Sequence, residues 1–381
     1  MLGSSVLLMS QNEFAKNYLA GEAQYKNGKG DLATAEKSFL AALRSADAKP
    51  ERGERVRLTG KQYGYYPEYY LTLIYQRQHR YIDVLSYGAR ARKYLKESDK
   101  RFTAVKLAED EALLKLSNVP TDQQTTWTRT QGSGQRTGDP TSFALIIGIN
   151  RYDDPALQTL HTPIPDGVAL AGLLHDGYGF ETTFLPDPKR DDILTALDNY
   201  LGLSDTSSLL IYYGGHGVHL ADDKNYWLPS DAPHNPSPKW IEALEITSRL
   251  KAIRARHLLL IADSCYSGLF TKGLEVAPAY TKAQHDAFLR SMAAARSRQL
   301  MSSGFDEPVP DIGAGDHSKF AAALLSGLGS MPQASFTAGE LFSQFVNIQV
   351  TSATGQRPQY IPITEAAHGG GDFVFYRVQS K

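Results

Sequence analysis

Three mainly apolar runs, Phe143 to Ile149, Ser208 to Tyr213 and His257 to Ala262, show no alternation of polarity. A strand with one face in water alternates, so an unbroken apolar strand must be covered on both faces. In practice that means a mainly parallel sheet lying between helices. The intervening segments repeat apolar residues at helical spacing and predict helices over Asp166 to Leu174, Arg190 to Leu201, Ile241 to Arg254, Phe320 to Leu328 and Ala338 to Thr351. The expected fold class for residues 143–378 is therefore α/β, an αβα sandwich around a mainly parallel central sheet.

Residues 12–116 have another texture, rich in Ala, Leu, Tyr, Lys and Glu at helical spacing and almost free of strand-like alternation. Ala35, Phe39 and Ala42 repeat in type at Val84, Gly88 and Ala91, with Tyr25 and Tyr75 upstream on partner helices. That pattern resembles a tetratricopeptide repeat with an insertion around Lys49 to Tyr65. The plain alternative is an all-helical domain packing its own core. Between the two parts, residues 117–142 are rich in Thr, Gln, Gly, Ser and Pro with hardly an aliphatic residue, and read as a flexible linker.

With 40 Lys and Arg against 41 Asp and Glu, no overall field draws the chain to nucleic acid or to an anionic membrane, so partners must be recognised locally. The single cysteine, Cys265, excludes an intramolecular disulfide. The apolar stretch Val6 to Met9 is too short to span a bilayer and has no basic segment before it. The expected location is cytoplasmic, or periplasmic or secreted if a signal has been trimmed.

Ligands of open parallel sheets sit beyond the carboxyl ends of the strands, which gives priority to the polar residues after each run. Leu209 to Tyr213 leads into Gly214, Gly215, His216 and Gly217, and Leu258 to Ala262 leads into Asp263, Ser264, Cys265, Tyr266, Ser267 and Gly268. A thiol becomes a nucleophile when a neighbouring imidazole takes its proton. His216 and Cys265 are the candidate base and nucleophile, and the amides of Gly217 and Cys265 are the natural donors to a developing oxyanion. His219, two residues on, is a competing base without flanking glycines.

The Gly-Gly-His-Gly and Asp-Ser-Cys-Tyr-Ser-Gly motifs resemble those of the caspase-like cysteine peptidases, specifically the bacterial metacaspase or orthocaspase branch. Caspases place the histidine about 50 residues before the cysteine, and here the separation is 49. Further likeness lies in Ala144 to Asn150 with Tyr152, in Tyr226 to Asp231, and in His317, Ser318 and Phe320 leading into a helix. The resemblance runs from about Ser142 to Phe375. It implies a caspase-like sandwich and a His216–Cys265 dyad that forms a thioacyl-enzyme, which water then hydrolyses. A non-catalytic caspase-fold scaffold whose helical repeats carry the function is the alternative.

Asp263 precedes Cys265 by two residues, and in extended chain that spacing turns both side chains to one face. A carboxylate there would hinder thiolate formation, which asks for a compensating purpose such as holding a substrate cation. Aspartate-specific caspases carry Arg after the cysteine, whereas this chain has Tyr266. By resemblance to metacaspases a second carboxylate, Asp166, joins Asp263 in clamping Arg or Lys, although Asp166 also stands where a helix N-cap would.

The family's processing loop corresponds to Thr271 to Gln299, where Lys272, Lys282, Arg290, Arg296 and Arg298 are candidate self-cleavage points. Some metacaspases respond to calcium. The acidic clusters Asp222 and Asp223, and Asp306, Glu307, Asp311 and Asp316, match no EF-hand loop, so no required metal and no nucleotide cofactor is expected. The expected partners are a protein or peptide substrate with a basic residue before the cut, and a protein partner on the helical region.

Overall fold

In the computed structural model, residues 13–26, 31–44, 55–58, 61–116, 125–127, 142–220, 224–264, 281–304 and 317–378 are described, with the backbone alone for 55–58, 61–63 and 125–127. The chain divides at Val119 and Pro120 into two compact units.

The first unit is helical. Helices α1 (Glu13–Lys26) and α2 (Leu32–Arg44) pack as a pair, and α3 (Pro67–Arg77), α4 (Tyr81–Arg92) and α5 (Lys100–Leu116) follow, each against the one before. Between the pairs, inside the expected insertion, lies an antiparallel hairpin of β1 (Arg55–Leu58) and β2 (Lys61–Gly64). Ala35, Phe39 and Ala42, and likewise Val84 and Ala91, are buried, as their spacing on one helical face requires. Phe39 stacks on Tyr70 at 4.9 Å, and Tyr18 meets both Phe39 and Tyr65 edge-on. The Tyr18 hydroxyl donates to the Gly64 carbonyl at 2.7 Å, which is how a phenol is buried without losing its hydrogen bond.

The second unit carries a seven-stranded sheet in the order β13-β11-β10-β6-β4-β5-β3. Its elements run β3 (Thr125–Trp127), β4 (Ser142–Gly148), α6 (Pro163–Tyr178), β5 (Glu181–Pro186), α7 (Arg190–Asp198), β6 (Ser208–Gly214), a small antiparallel sheet of β7 (Gly217–His219), β8 (Asn225–Trp227) and β9 (Ile241–Glu242), then α8 (Ala243–Ala252) and β10 (His257–Asp263). After these come α9 (Lys282–Ala294), β11 (Ser297–Ser302), α10 (Lys319–Ser330), β12 (Ser335–Thr337) and α11 (Ala338–Leu341). A π-helical turn, Phe342–Val346, leads into α12 (Asn347–Thr354), followed by β13 (Gln359–Pro362) and β14 (Val374–Tyr376). Strands β11, β10, β6, β4 and β5 are parallel, and β13 and β3 close the edges antiparallel. This is the expected caspase-like sandwich.

Alternate residues of the central strands face opposite helical layers. Leu145, Ile147, Leu209, Ile211, Leu258 and Leu260 join Ile193 and Leu197 of α7 and Ile246 and Leu250 of α8 in one apolar cluster. Ala144, Ile146, Leu210, Tyr212, Leu259 and Ile261, also buried, belong to the other face, where α6 packs on the sheet and α10 packs on α6. Each such aliphatic side chain contributes about 1.5–3 kcal/mol by leaving water. Gly148 ends β4 where α6 begins. A Cβ there would stand 2.6 Å from the Pro163 carbonyl oxygen, so only glycine lets the helix start this close to the strand.

Two expectations are corrected. Thr125–Trp127, inside the stretch read as a linker, pairs with β5 as an edge strand. The stretch 271–299 is not one loop. Thr281 caps α9 through a capping box with Gln284, so Lys282 and Arg290 are helical, and Arg298 lies in β11 with no exposed surface. The Arg298 guanidinium donates to the carbonyls of Ile253 at 2.8 Å, Arg256 at 3.1 Å and Ser297 at 2.8 Å, and burial pushes its pKa down to about 10. Among the described residues, no helix is long and apolar enough to cross a membrane.

Candidate active site

The two motif-bearing strands are neighbours in register. β6 and β10 pair in parallel with Gly214 opposite Asp263, and the chain continues to His216 from one and through Ser264 to Cys265 from the other. Each candidate lies two residues beyond the paired position. Cys265 itself lies outside the described residues, as do Lys272 and the acidic clusters Asp222, Asp223, Asp306, Glu307, Asp311 and Asp316.

His216 is held through its amide, its carbonyl and one ring nitrogen. Its amide donates to the Tyr152 hydroxyl at 2.7 Å, and its carbonyl accepts from the Tyr213 hydroxyl at 2.7 Å and from the Leu228 amide at 3.1 Å. Its ring leans over Tyr152 with centroids 4.8 Å apart, and Nε2 lies 2.8 Å from the Gln158 carbonyl oxygen. A carbonyl only accepts, so Nε2 carries the hydrogen, and in the neutral ring Nδ1 carries the lone pair. Gly215 leaves room for this arrangement. A Cβ there would lie 3.0 Å from the Tyr213 hydroxyl and 3.1 Å from that of Tyr152. Gly217, beside His216, is buried at the start of β7.

The loop that supplies Tyr152 and Gln158 is anchored by Asp187, whose Oδ1 accepts from the amides of Asn150 at 2.6 Å and Arg151 at 3.1 Å. Asn150 Oδ1 in turn accepts from the Ile164 amide at 3.0 Å. His219, the competing base, is engaged across the β7–β8 hairpin, with Nδ1 3.0 Å from Asn225 Oδ1.

Asp166 and Asp263 come together on the α6 and α10 face of the sheet. Asp166 is not a cap: Thr162 occupies the N-cap of α6, and the Asp166 carboxylate turns instead toward the start of α10. Its Oδ1 lies 2.6 Å from His317 Nδ1, and its Oδ2 accepts from the Ser318 amide at 3.3 Å. Asp263 Oδ2 accepts from the Ser318 hydroxyl at 2.5 Å and from the Tyr212 hydroxyl at 3.4 Å. Ser318 is also the N-cap of α10, accepting from the Ala321 amide at 2.9 Å, so both acids face the positive end of a helix dipole.

Burial dominates the electrostatics. It pushes the Asp263 carboxyl up to about 7, helped by the neighbouring Asp166 charge and opposed by the Ser318 hydrogen bond. Asp166 is pushed up to about 6, with His317 opposing. Tyr212, hydrogen-bonded to Asp263 and near the Asp166 charge, is raised well above the ordinary phenol range, again mainly by burial. The two carboxyls are thus buried side by side, with His317 against Asp166.

Of the residues named from the motifs, the structure joins Asp166 with Asp263 and sets His216 one strand away from Asp263. The supporting residues Gln158, Asp187, Tyr212 and Tyr213 carry no signal in the sequence, because nothing in their spacing distinguishes them from ordinary loop and core positions. On the opposite sheet face, Trp227, Ile246, Leu260 and Leu300 line a small apolar pocket that reaches Ser264. Among the described residues, no three His, Cys, Asp or Glu side chains gather as a metal site.

A family model described as the caspase domain matches residues 141–368. No curated protein matches the chain. Among solved structures, the chain is similar to a protein of Geobacter sulfurreducens at 16% identity, covering 58% of this chain and 93% of that one with a TM-score of 0.41. It is also similar to caspase-1 of Spodoptera frugiperda at 16% identity, covering 66% of this chain and 100% of that one with a TM-score of 0.43. The match to the family model spans more than half of the sequence, and this chain belongs to the caspase-domain family.

Proposed function

We propose that the chain is a cysteine endopeptidase of the metacaspase-like kind that cuts proteins after Arg or Lys, with Cys265 as nucleophile and His216 as base. The observation that carries this reading is the pairing of Gly214 with Asp263, which sets the two chemistry-bearing segments side by side at one sheet end. With Nε2 tied to Gln158, His216 Nδ1 takes the thiol proton. The thiolate attacks the scissile carbonyl carbon, and the resulting oxyanion is received by the amides of Gly217 and Cys265. Protonated His216 then gives its proton to the leaving amine, which leaves a thioester on Cys265. Water, deprotonated by His216, cleaves the thioester and restores the thiol.

Asp166 and Asp263 supply the basic preference. Their raised pKa values mean that an entering cation ionises both, converting two costly buried acids into partners of a salt bridge. Self-processing in the stretch 271–299 falls after Lys272, because Lys282 and Arg290 are helical, Arg298 is buried in a strand and the Arg296 carbonyl is held by the amides of Gly369 and Gly371, whereas a peptidase needs free, extended chain. The helical unit, which resembles tetratricopeptide repeats, presents a surface to a protein partner. The dyad needs no metal, and calcium as an activator is tested by assay with and without a chelator.

Fluorogenic peptides identical except for Arg, Lys or Asp before the fluorophore test the proposal. Cleavage of the Arg and Lys peptides by wild type and not by Cys265→Ala is expected. Preference for the Asp peptide, or equal rates in Cys265→Ala, refutes it.

A further inference from the structure

Three of the four carboxylate oxygens of the acid pair are engaged by the chain's own donors. Asp166 Oδ1 faces His317 Nδ1, Asp166 Oδ2 accepts from the Ser318 amide, and Asp263 Oδ2 accepts from the hydroxyls of Ser318 and Tyr212. Asp263 Oδ1 is buried and has no partner among the described residues. The buried Ser303 hydroxyl stands beside Asp263 without forming a hydrogen bond of normal geometry, and is a further acceptor next to it.

The donors differ in how firmly they are fixed. Tyr212 is built into β6 and Ser318 caps α10, both fully buried. His317 is 25% exposed and stands outside the helix, so it alone of these donors can leave without dismantling an element.

Ammonium and guanidinium groups ask for different acceptors. A lysine ammonium is a compact point charge that one carboxylate oxygen and a hydroxyl satisfy. An arginine fork gains its advantage only where two oxygens are open to parallel N–H groups. We propose that His317 is a specificity-determining residue: by occupying Asp166 Oδ1 it leaves Asp263 Oδ1 as the one unpartnered carboxylate oxygen of the acid pair among the described residues and tilts selection toward lysine over arginine. The proposal rests on the reading of Asp166 and Asp263 as the pocket for a basic side chain.

The test is the ratio of kcat/KM for two peptides that differ only in Arg or Lys before the cut, measured at about pH 8, where both acids are ionised. His317→Ala frees Asp166 Oδ1 and raises the Arg-to-Lys ratio about tenfold, the value of one added charge-assisted contact. His317→Asn places an amide N–H where Nδ1 stands and keeps the wild-type ratio. The ratio is internal to each preparation, so a partly unfolded variant does not distort it. Calorimetry with agmatine and cadaverine on Cys265→Ala, with and without His317→Ala, reads the same preference without turnover. Cleavage of both peptides with an unchanged ratio in His317→Ala overturns the role of His317 and leaves the pocket standing. Cleavage of neither, together with no binding of either amine, overturns the pocket and this proposal with it.

Discussion

Ser318 donates its hydroxyl to Asp263 Oδ2 at 2.5 Å while its own amide points at Asp166 Oδ2 at 3.3 Å. One residue therefore ties the end of β10 to the first turn of α6 and starts α10 at the same time. Ser318→Ala removes the donor to a buried acid and the cap of a helix. A loss of about 2 kcal/mol is expected from those two effects together, read by urea denaturation. Ser318→Thr keeps the hydroxyl and recovers most of it.

The acid pair fixes the sign of a pH dependence. Both folded-state pKa values, about 7 for Asp263 and about 6 for Asp166, lie above the ordinary aspartate range. The stability these groups contribute is fully present below about pH 4, the unfolded value, and is lost as pH rises through 6 and 7. Asp263→Asn cannot ionise. Its thermal midpoint should gain on that of wild type between pH 4 and 7 and level off above, as followed by calorimetry. A difference that does not change with pH contradicts the burial argument.

Tyr152 acts on His216 through the amide, not through the proton that moves. Tyr152→Phe keeps the ring against the imidazole but takes away the acceptor of the His216 amide. The loosened histidine should lower kcat about tenfold with KM nearly unchanged, measured by steady-state kinetics on the better of the basic peptides. A matching rise in KM instead would place Tyr152 in substrate binding.

The sequence made the sandwich legible where its strands are covered on both faces, since β4, β6 and β10 appear as unbroken apolar runs that end within a residue or so of their observed limits. β5 escaped because Thr182 and Thr183 interrupt its apolar residues, and β13 because its four residues are too short to establish a period. The site divided along the same line. His216, Cys265 and Asp263 stand directly after apolar runs in distinctive glycine contexts, so local pattern finds them. Asp166 was reached through family resemblance, with a helix cap as its rival, and only the fold shows its carboxylate turned to α10. Gln158 contributes a backbone carbonyl, which no side-chain motif encodes. The stretch 271–299 reads as one loop because basic residues look alike in sequence whether they lie on a helix, as Arg290 does, or satisfy buried carbonyls, as Arg298 does.

Arg298 offers a test of the sheet's far side. Its guanidinium satisfies three carbonyls at once, including that of Ile253 at the end of α8. Arg298→Met leaves those oxygens without a donor and should cost about 3 kcal/mol in denaturant unfolding. Arg298→Lys retains a donor but not the reach across three acceptors, and should cost less than the methionine variant.

The most direct test of a thiol activated beside a cation-binding pocket is covalent. Wild type, Cys265→Ala and Asp263→Asn are incubated with an arginine chloromethylketone, and the intact mass of each is measured. A single adduct on wild type, none on Cys265→Ala, and labelling at least tenfold slower on Asp263→Asn is the predicted result. An unmodified wild type, or labelling as fast in Asp263→Asn as in wild type, contradicts it.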